Sequence, residues 1–303
     1  MNRVLGLIEG SEGPLTILIG GIHGNESAGI KAIQQIFSTI RAQQIPLKGT
    51  LVGLAGNLQA IAKNKRYIDY DLNRCWDPKF IQNIHQQHHN QAEDIELYNL
   101  HETIMSYRDY PGTKIIMDLH TTSSAKGNFI VIPQSEATHP LVRSLKQPVV
   151  VDLDEYLKGT LLKYFRDLGF LSFAFEGGLI GSTDAINLHV AGIWEILVGS
   201  GSVEASDVES SFTYILDQYS SALPHYLKVL YHHWIEPDDQ FVMVPGFENF
   251  QPVKQGEHLA DDKEGPIQAP VSGLIFLPLY QSSGNDGFFI VEEISTMELT
   301  ADG

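Results

Sequence analysis

Leu15-Thr16-Ile17-Leu18-Ile19-Gly20-Gly21-Ile22-His23-Gly24-Asn25-Glu26 is the stretch that decides the fold. Residues 15–22 form an apolar run that closes on a glycine pair, which predicts a buried strand. Over residues 26–42, Ala28, Ile33, Ile36, Phe37 and Ile40 then recur at helical spacing. A strand, a glycine turn and a helix make the opening unit of an α/β sheet.

Working outward, Thr50–Ala55 reads as the next strand, followed by a long loop over residues 57–80. Loops of that length inside a domain usually carry function. Residues 81–107 read as one polar helix, and residues 114–119 (KIIMDL) as a strand ending on His120. Residues 129–132, 149–152 and 171–175 are further strand candidates, and residues 159–168 and 183–197 look helical. This alternation predicts an α/β fold: a mixed central sheet with helices on both faces. From Glu236 the pattern changes to short strands separated by Gly, Pro and Asp turns, at 241–244, 273–279 and 288–291. The expected division is a catalytic domain over residues 1–235 and a small all-β module over residues 236–303.

Composition narrows the partners. The 303 residues carry 20 Lys+Arg against 37 Asp+Glu, a net charge of -17, which argues against nucleic acid and anionic membrane surfaces. No apolar run is long enough for a membrane helix. The opening MNRVLGLIEGSEGPL meets Glu9 and Glu12 before any long apolar stretch and does not read as a secretory signal. With Cys75 as the single cysteine, no internal disulfide can form, and a cytoplasmic location is expected. The acidity is uneven, because residues 236–303 hold 13 acidic and 2 basic side chains. Residues 63–79 hold five of the twenty cations, a local island suited to an anionic small molecule.

Three features sit at strand ends, where open α/β sheets hold ligands. His23 and Glu26 lie three residues apart in a glycine-rich turn and can converge on one cation. The plainer reading is a turn whose Glu26 faces a helix N-terminus. His120, at the exit of its strand, would complete a three-ligand set that leaves one position open, the pattern of catalytic zinc. Glu176 ends the apolar run Phe173-Ala174-Phe175, where desolvation would raise its pKa toward that of a general base. Considered singly, His120 reads equally well as a surface histidine capping a loop, and Glu176 as a strand-end carboxylate bonded to the glycine amides that follow it.

Taken in order, His23-Gly24-Asn25-Glu26, Arg66, Asp71-Leu72-Asn73-Arg74, Asp118-Leu119-His120 and Glu176-Gly177-Gly178 resemble the succinylglutamate desuccinylase/aspartoacylase family, which is related to the zinc carboxypeptidases. The resemblance covers roughly residues 1–200. It implies one Zn²⁺ per chain, held by His23, Glu26 and His120, and a base, Glu176, that deprotonates a zinc-bound water and then protonates the leaving amine. It further implies that Arg66 stabilises the oxyanion, Asn73 and Arg74 grip a substrate carboxylate, and Asp71 orients His23. Arg166 and Tyr280 are weaker candidates for substrate contact. Tyr164, which like Arg166 precedes the Glu176 strand, is a further candidate.

The C-terminal Pro252-Val253-Lys254-Gln255-Gly256-Glu257 and Ala269-Pro270-Val271-Ser272-Gly273 look like half of a biotinyl/lipoyl-type barrel without a lysine at its hairpin tip. A structural lid or an oligomerisation module is expected instead, so a homo-oligomer is an open alternative. His85, His88, His89 and His101 read as a polar helix face, since no acid stands in register as in H-E-x-x-H. His232-His233 beside Trp234 reads as packing. Ser123 and Ser124 lack a G-x-S-x-G elbow.

The expectation is a zinc-dependent deacylase that hydrolyses the amide of a small anionic N-acyl amino acid. The alternatives are a metallocarboxypeptidase acting on short peptides and a zinc-binding protein without catalysis.

Overall fold

The computed structural model describes residues 1–303 except 87–89, 125–126, 237, 282–283, 297 and 302–303. The strands are β1 (Val4–Glu9), β2 (Ser11–Gly20), β3 (Lys48–Ala55), β4 (Lys114–Thr122), β5 (Asn128–Ile132), β6 (Val149–Val151) and β7 (Leu171–Leu179). They continue as β8 (Tyr226–Trp234), β9 (Val242–Met243), β10 (Gln251–Val253), β11 (His258–Asp262), β12 (Gly265–Gln268), β13 (Gly273–Phe276) and β14 (Asp286–Glu293). One mixed sheet of eleven strands runs in the order β1-β3-β2-β4-β7-β5-β6-β8-β14-β13-β10, and β12-β11-β9 forms a small antiparallel sheet. Strands β3, β2, β4 and β7 at its heart are parallel.

The apolar run of β2 is explained by burial on both faces. Leu18 enters one core with Phe37, Met117 and Phe173, while Ile17 and Ile19 enter another with Leu97, Leu100 and Phe165. Alternate residues of a strand point to opposite sides, so each face recruits its own helices. The first core is closed by the helices Ala28–Gln43 and Thr183–Gly199, the second by Pro78–Gln86, Ala92–Met105 and Leu161–Arg166. This is the mixed sheet with helices on both faces that the alternation predicted. Among the described residues no helix is long and apolar enough to cross a membrane.

Several boundaries differ from expectation. In place of one helix over 81–107 the described residues form two, Pro78–Gln86 and Ala92–Met105, and His88 and His89 lie outside the described residues. The loop over 57–80 contains a short helix, Leu58–Lys63, capped by Asn57, whose Oδ1 accepts from the Ala60 amide at 3.0 Å. Strands β4 and β7 run past their predicted ends, so His120 and Glu176 lie inside strands and not beyond them. β8 and the helix Ser211–Ser220 were not anticipated. Nor was the last turn of helix, Glu298–Ala301, within the C-terminal region read as all-β. Within that region, β14, β13 and β10 extend the main sheet through β8, while β9, β11 and β12 form the smaller one.

Candidate active site

Three neighbouring parallel strands deliver the site. β2 ends at Gly20, and the chain turns through Gly21, at φ 74°, to present His23 and Glu26. A positive φ favours glycine, and Gly24 has a second reason: a side chain there would meet the Ala60 backbone at 2.2 Å. β4 contributes His120, and β7 contributes Glu176, its register partner. All four side chains line one cleft at the carboxyl ends of the strands, where α/β sheets bind ligands.

His23, Glu26 and His120 are buried, and one ligand atom from each falls within 4.8 Å of the others. Nδ1 of His23 lies 3.0 Å from Glu26 Oε1, and Nδ1 of His120 lies 3.4 Å from Glu26 Oε2. Both rings therefore turn Nδ1 toward the glutamate, and an aspartate holds each opposite nitrogen. His23 Nε2 lies 3.2 Å from Asp71 Oδ1, and His120 Nε2 lies 2.8 Å from Asp118 Oδ2. A carboxylate on Nε2 fixes the proton there and leaves Nδ1 bare, the arrangement of metal-ligating histidines. Burial pushes the Glu26 carboxyl up, but His23 and His120 outweigh it and hold it well below the usual range. Burial lowers His120, but Asp118 and Glu26 raise it well above its ordinary value.

Glu176 is the opposite case. Burial raises its carboxyl to about 7, against the pull of His120 and with the push of Glu26. Its Oε2 is buried with no hydrogen-bond partner in the protein. An ionisable oxygen left bare in a cleft is costly unless a ligand engages it. Two imidazoles and a carboxylate lining the same cleft are a donor set that suits a borderline divalent metal such as zinc. Gly177 makes room for a further histidine: a side chain there would sit 2.7 Å from His189 Cε1. His189, which the sequence reading missed, is fully buried, with Nε2 2.9 Å from the His120 carbonyl and Nδ1 2.6 Å from that of Ala185.

The loop over 63–79 is held by a buried acid. Glu93 accepts from the Ile68 and Asp69 amides at 2.7 and 2.9 Å and from Asn57 Nδ2 at 2.9 Å. This fixes Arg66, whose Nη2 and Nε donate to Asp71 Oδ2 at 3.1 and 3.3 Å while Nη1 lies 3.7 Å from Glu26 Oε1. Asp71 thus orients His23 and Arg66 together. Burial raises its carboxyl, but His23 and Arg66 prevail and hold it well below the usual range.

The cationic island separates. Lys63, Lys65 and Lys79 are exposed, while Arg66 and Arg74 line the cleft. Arg74 Nη2 donates to Asp286 Oδ2 at 2.9 Å, and Arg166 Nη2 pairs with Asp154 Oδ2. Each of the cleft's three arginines therefore already has an aspartate partner, which the excess of cations in the loop did not suggest. Asn73 lines the cleft, and its Oδ1 accepts from the Leu161 amide at 3.0 Å. Arg166 lines the cleft too, but Tyr280 does not. The Tyr280 hydroxyl donates to the Val244 carbonyl at 3.0 Å and accepts from the Phe247 amide at 2.8 Å. Its neighbours Leu279 and Gln281 face the cleft in its place. Tyr164 is also elsewhere, bonded to His101.

Asp118, Asp286, Asp154 and His189 are the residues that sequence reasoning left without roles. Asp118 was detectable, because a strand places residues i and i+2 on one face and so sets it beside His120. The other three meet their partners only through the fold.

A model of the succinylglutamate desuccinylase/aspartoacylase catalytic domain matches residues 12–190. The chain is 32% identical over 108 residues to a succinylglutamate desuccinylase of Yersinia pestis, covering 35% of this chain and 31% of that protein. It is 33% identical over 177 residues to a probable aspartoacylase of Nostoc sp., covering 54% of each. The matched stretches thus span about a third and about half of those relatives. A solved succinylglutamate desuccinylase/aspartoacylase from Rhodobacter sphaeroides, 19% identical, superposes with a TM-score of 0.67 over 96% of this chain and 88% of that one. With its catalytic-domain match spanning more than half its length, the chain belongs to the succinylglutamate desuccinylase/aspartoacylase family.

Proposed function

We propose that the protein hydrolyses the amide bond of a small anionic N-acyl amino acid, releasing a carboxylate and an amine. The observation that carries this reading is Glu176: a buried carboxyl near pKa 7 with a bare oxygen, beside two histidines and a glutamate that converge in the same cleft. His23, Glu26 and His120 would hold one zinc ion. Zinc there would supply a Lewis acid that polarises the amide carbonyl and brings the pKa of a water down to about 7.

The chain's own residues do the rest. Glu176 takes a proton from the attacking water and returns it to the leaving nitrogen, a transfer suited to a group that titrates near neutrality. Arg66, held on Asp71, faces the negative charge that develops on the carbonyl oxygen. A preset donor of this kind is worth roughly 10²–10³ in rate. Asp71 and Asp118 keep both imidazoles in the tautomer that leaves Nδ1 free. Asn73 and Arg74 bind a carboxylate of the amino-acid part, and Arg166, paired with Asp154, lines the same cleft with Leu153 and Leu157.

Residues 236–303 are read as a module that walls this cleft, because Leu277, Leu279, Gln281 and Asp286 line it. A walled cleft favours small substrates over peptides. The test is amine release from acetyl-, succinyl- and formyl-amino acids and a dipeptide series, by the zinc-loaded chain and by Glu176→Gln. Cleavage confined to dipeptides would replace the deacylase reading with a carboxypeptidase one. Bound zinc without turnover of any of these substrates would favour a non-catalytic protein.

A further inference from the structure

Away from the cleft, the described residues contain a second convergence of metal-ligating side chains: His85 on the 78–86 helix, with His101 and Glu102 on the 92–105 helix. His85 lacks an acid on its own helix, so the sequence pattern hides the group, and packing supplies the carboxylate from the neighbouring helix. We propose that His85, His101 and Glu102 form a second site for a divalent transition metal.

Geometry carries the proposal. His85 Nε2 and His101 Nδ1 are 3.1 Å apart, and Glu102 Oε1 lies 3.5 Å from the latter and 3.8 Å from the former. A triangle with these edges has a centre about 2 Å from every corner, which matches zinc–nitrogen and zinc–oxygen distances of about 2.0–2.2 Å. The same three atoms can meet one ion with only small adjustments, and Glu102 is exposed enough to make them.

The buried ligand is preset. His101 Nε2 lies 3.0 Å from the Tyr164 hydroxyl, so a proton on Nε2 is anchored there and Nδ1 presents its lone pair to His85. Tyr164 is itself packed against Trp76 and Phe165, with ring centroids 6.0 and 5.2 Å away. Two imidazoles and one carboxylate select borderline ions such as zinc, nickel or cobalt over calcium and magnesium, which prefer oxygen. A bound ion would tie the two helices together and would stabilise the folded chain in proportion to its affinity.

The test is equilibrium zinc uptake by the full untagged chain, stripped by a chelator and dialysed at buffered submicromolar free zinc. His85→Ala is expected to hold about one zinc ion per chain fewer than the wild type. Because His85 is partly exposed, the variant should fold, and circular dichroism checks this. Glu102→Gln, at a more exposed position, is expected to weaken the same site about tenfold or more and serves as the second arm. Equal uptake by His85→Ala and the wild type would overturn the proposal, whatever the cleft binds.

Discussion

His120 on β4 and Glu176 on β7 are register partners in adjacent parallel strands, so a candidate zinc ligand and a candidate base stand side by side on one sheet. Their closeness is a property of the backbone ladder and not of flexible loops. Glu176→Gln preserves shape but cannot carry the proton. It is expected to lower kcat by about 10²–10⁴-fold with zinc content unchanged, measured by amine release and elemental analysis. The acid limb of the wild-type pH profile should fall at or below about 7, where burial has raised the carboxyl, and should be missing from any residual activity of the variant.

Asp118 accepts from His120 Nε2 and is completely buried. In Asp118→Asn the amide can donate to Nε2 and drive the proton to Nδ1, where a metal must bind. Zinc affinity is expected to drop about 10–100-fold, read by competition with a chromophoric chelator. Unchanged affinity would show that Asp118 does not set the tautomer.

Arg74 reaches across 212 residues of sequence to Asp286. Asp286→Asn removes the carboxylate and leaves the guanidinium free for a substrate anion. Since the pair is partly exposed, the gain is modest: KM for a carboxylate-bearing substrate should fall by up to about fivefold. The KM of the corresponding amide-blocked substrate should hold, and a rise in KM for the anionic substrate would contradict this role for Arg74.

Glu195 offers a pH test remote from the site. Burial raises its carboxyl from 4.5 to about 7, despite the neighbouring Gln147 side chain and the Lys146 amide, which donates to it at 3.0 Å. Between those values the folded chain binds a proton that the unfolded chain has released. This stabilisation is therefore complete below 4.5 and is lost as pH rises through about 7. Glu195→Gln, which cannot ionise, should gain thermal stability relative to the wild type as pH rises from 4.5 to 7.5. Parallel melting curves across that range would contradict the assignment.

Legibility followed sequence distance. The β2 run, the glycine turn and the 28–43 helix were plain because each is local and periodic, and the turn already carried His23 and Glu26. His120 and Glu176 could be picked out as polar residues on apolar strands, although strand ends were set too early because a ladder continues wherever its neighbour does. Asp286, Asp154 and His189 were hidden, since an aspartate on β14 or a histidine within an apolar helix acquires meaning only from the side chain it meets. The cation count misled in part for the same reason: lysines and arginines count alike in a sequence, but only Arg66 and Arg74 of the island turn inward, each onto an aspartate. The break between the 78–86 and 92–105 helices was also missed, because polar residues at 86–91 suit a helix as well as a connection.

The most direct measurement is initial-rate amine release from a panel of N-acyl amino acids by the zinc-reconstituted chain, with a chelator-stripped sample and Glu176→Gln alongside. Zinc-dependent release from at least one anionic N-acyl amino acid, abolished by stripping and reduced by about 10²-fold or more in the variant, is the predicted result. A chain that binds zinc yet releases no amine from any of them, or one that hydrolyses them equally well with Gln at position 176, would contradict the account.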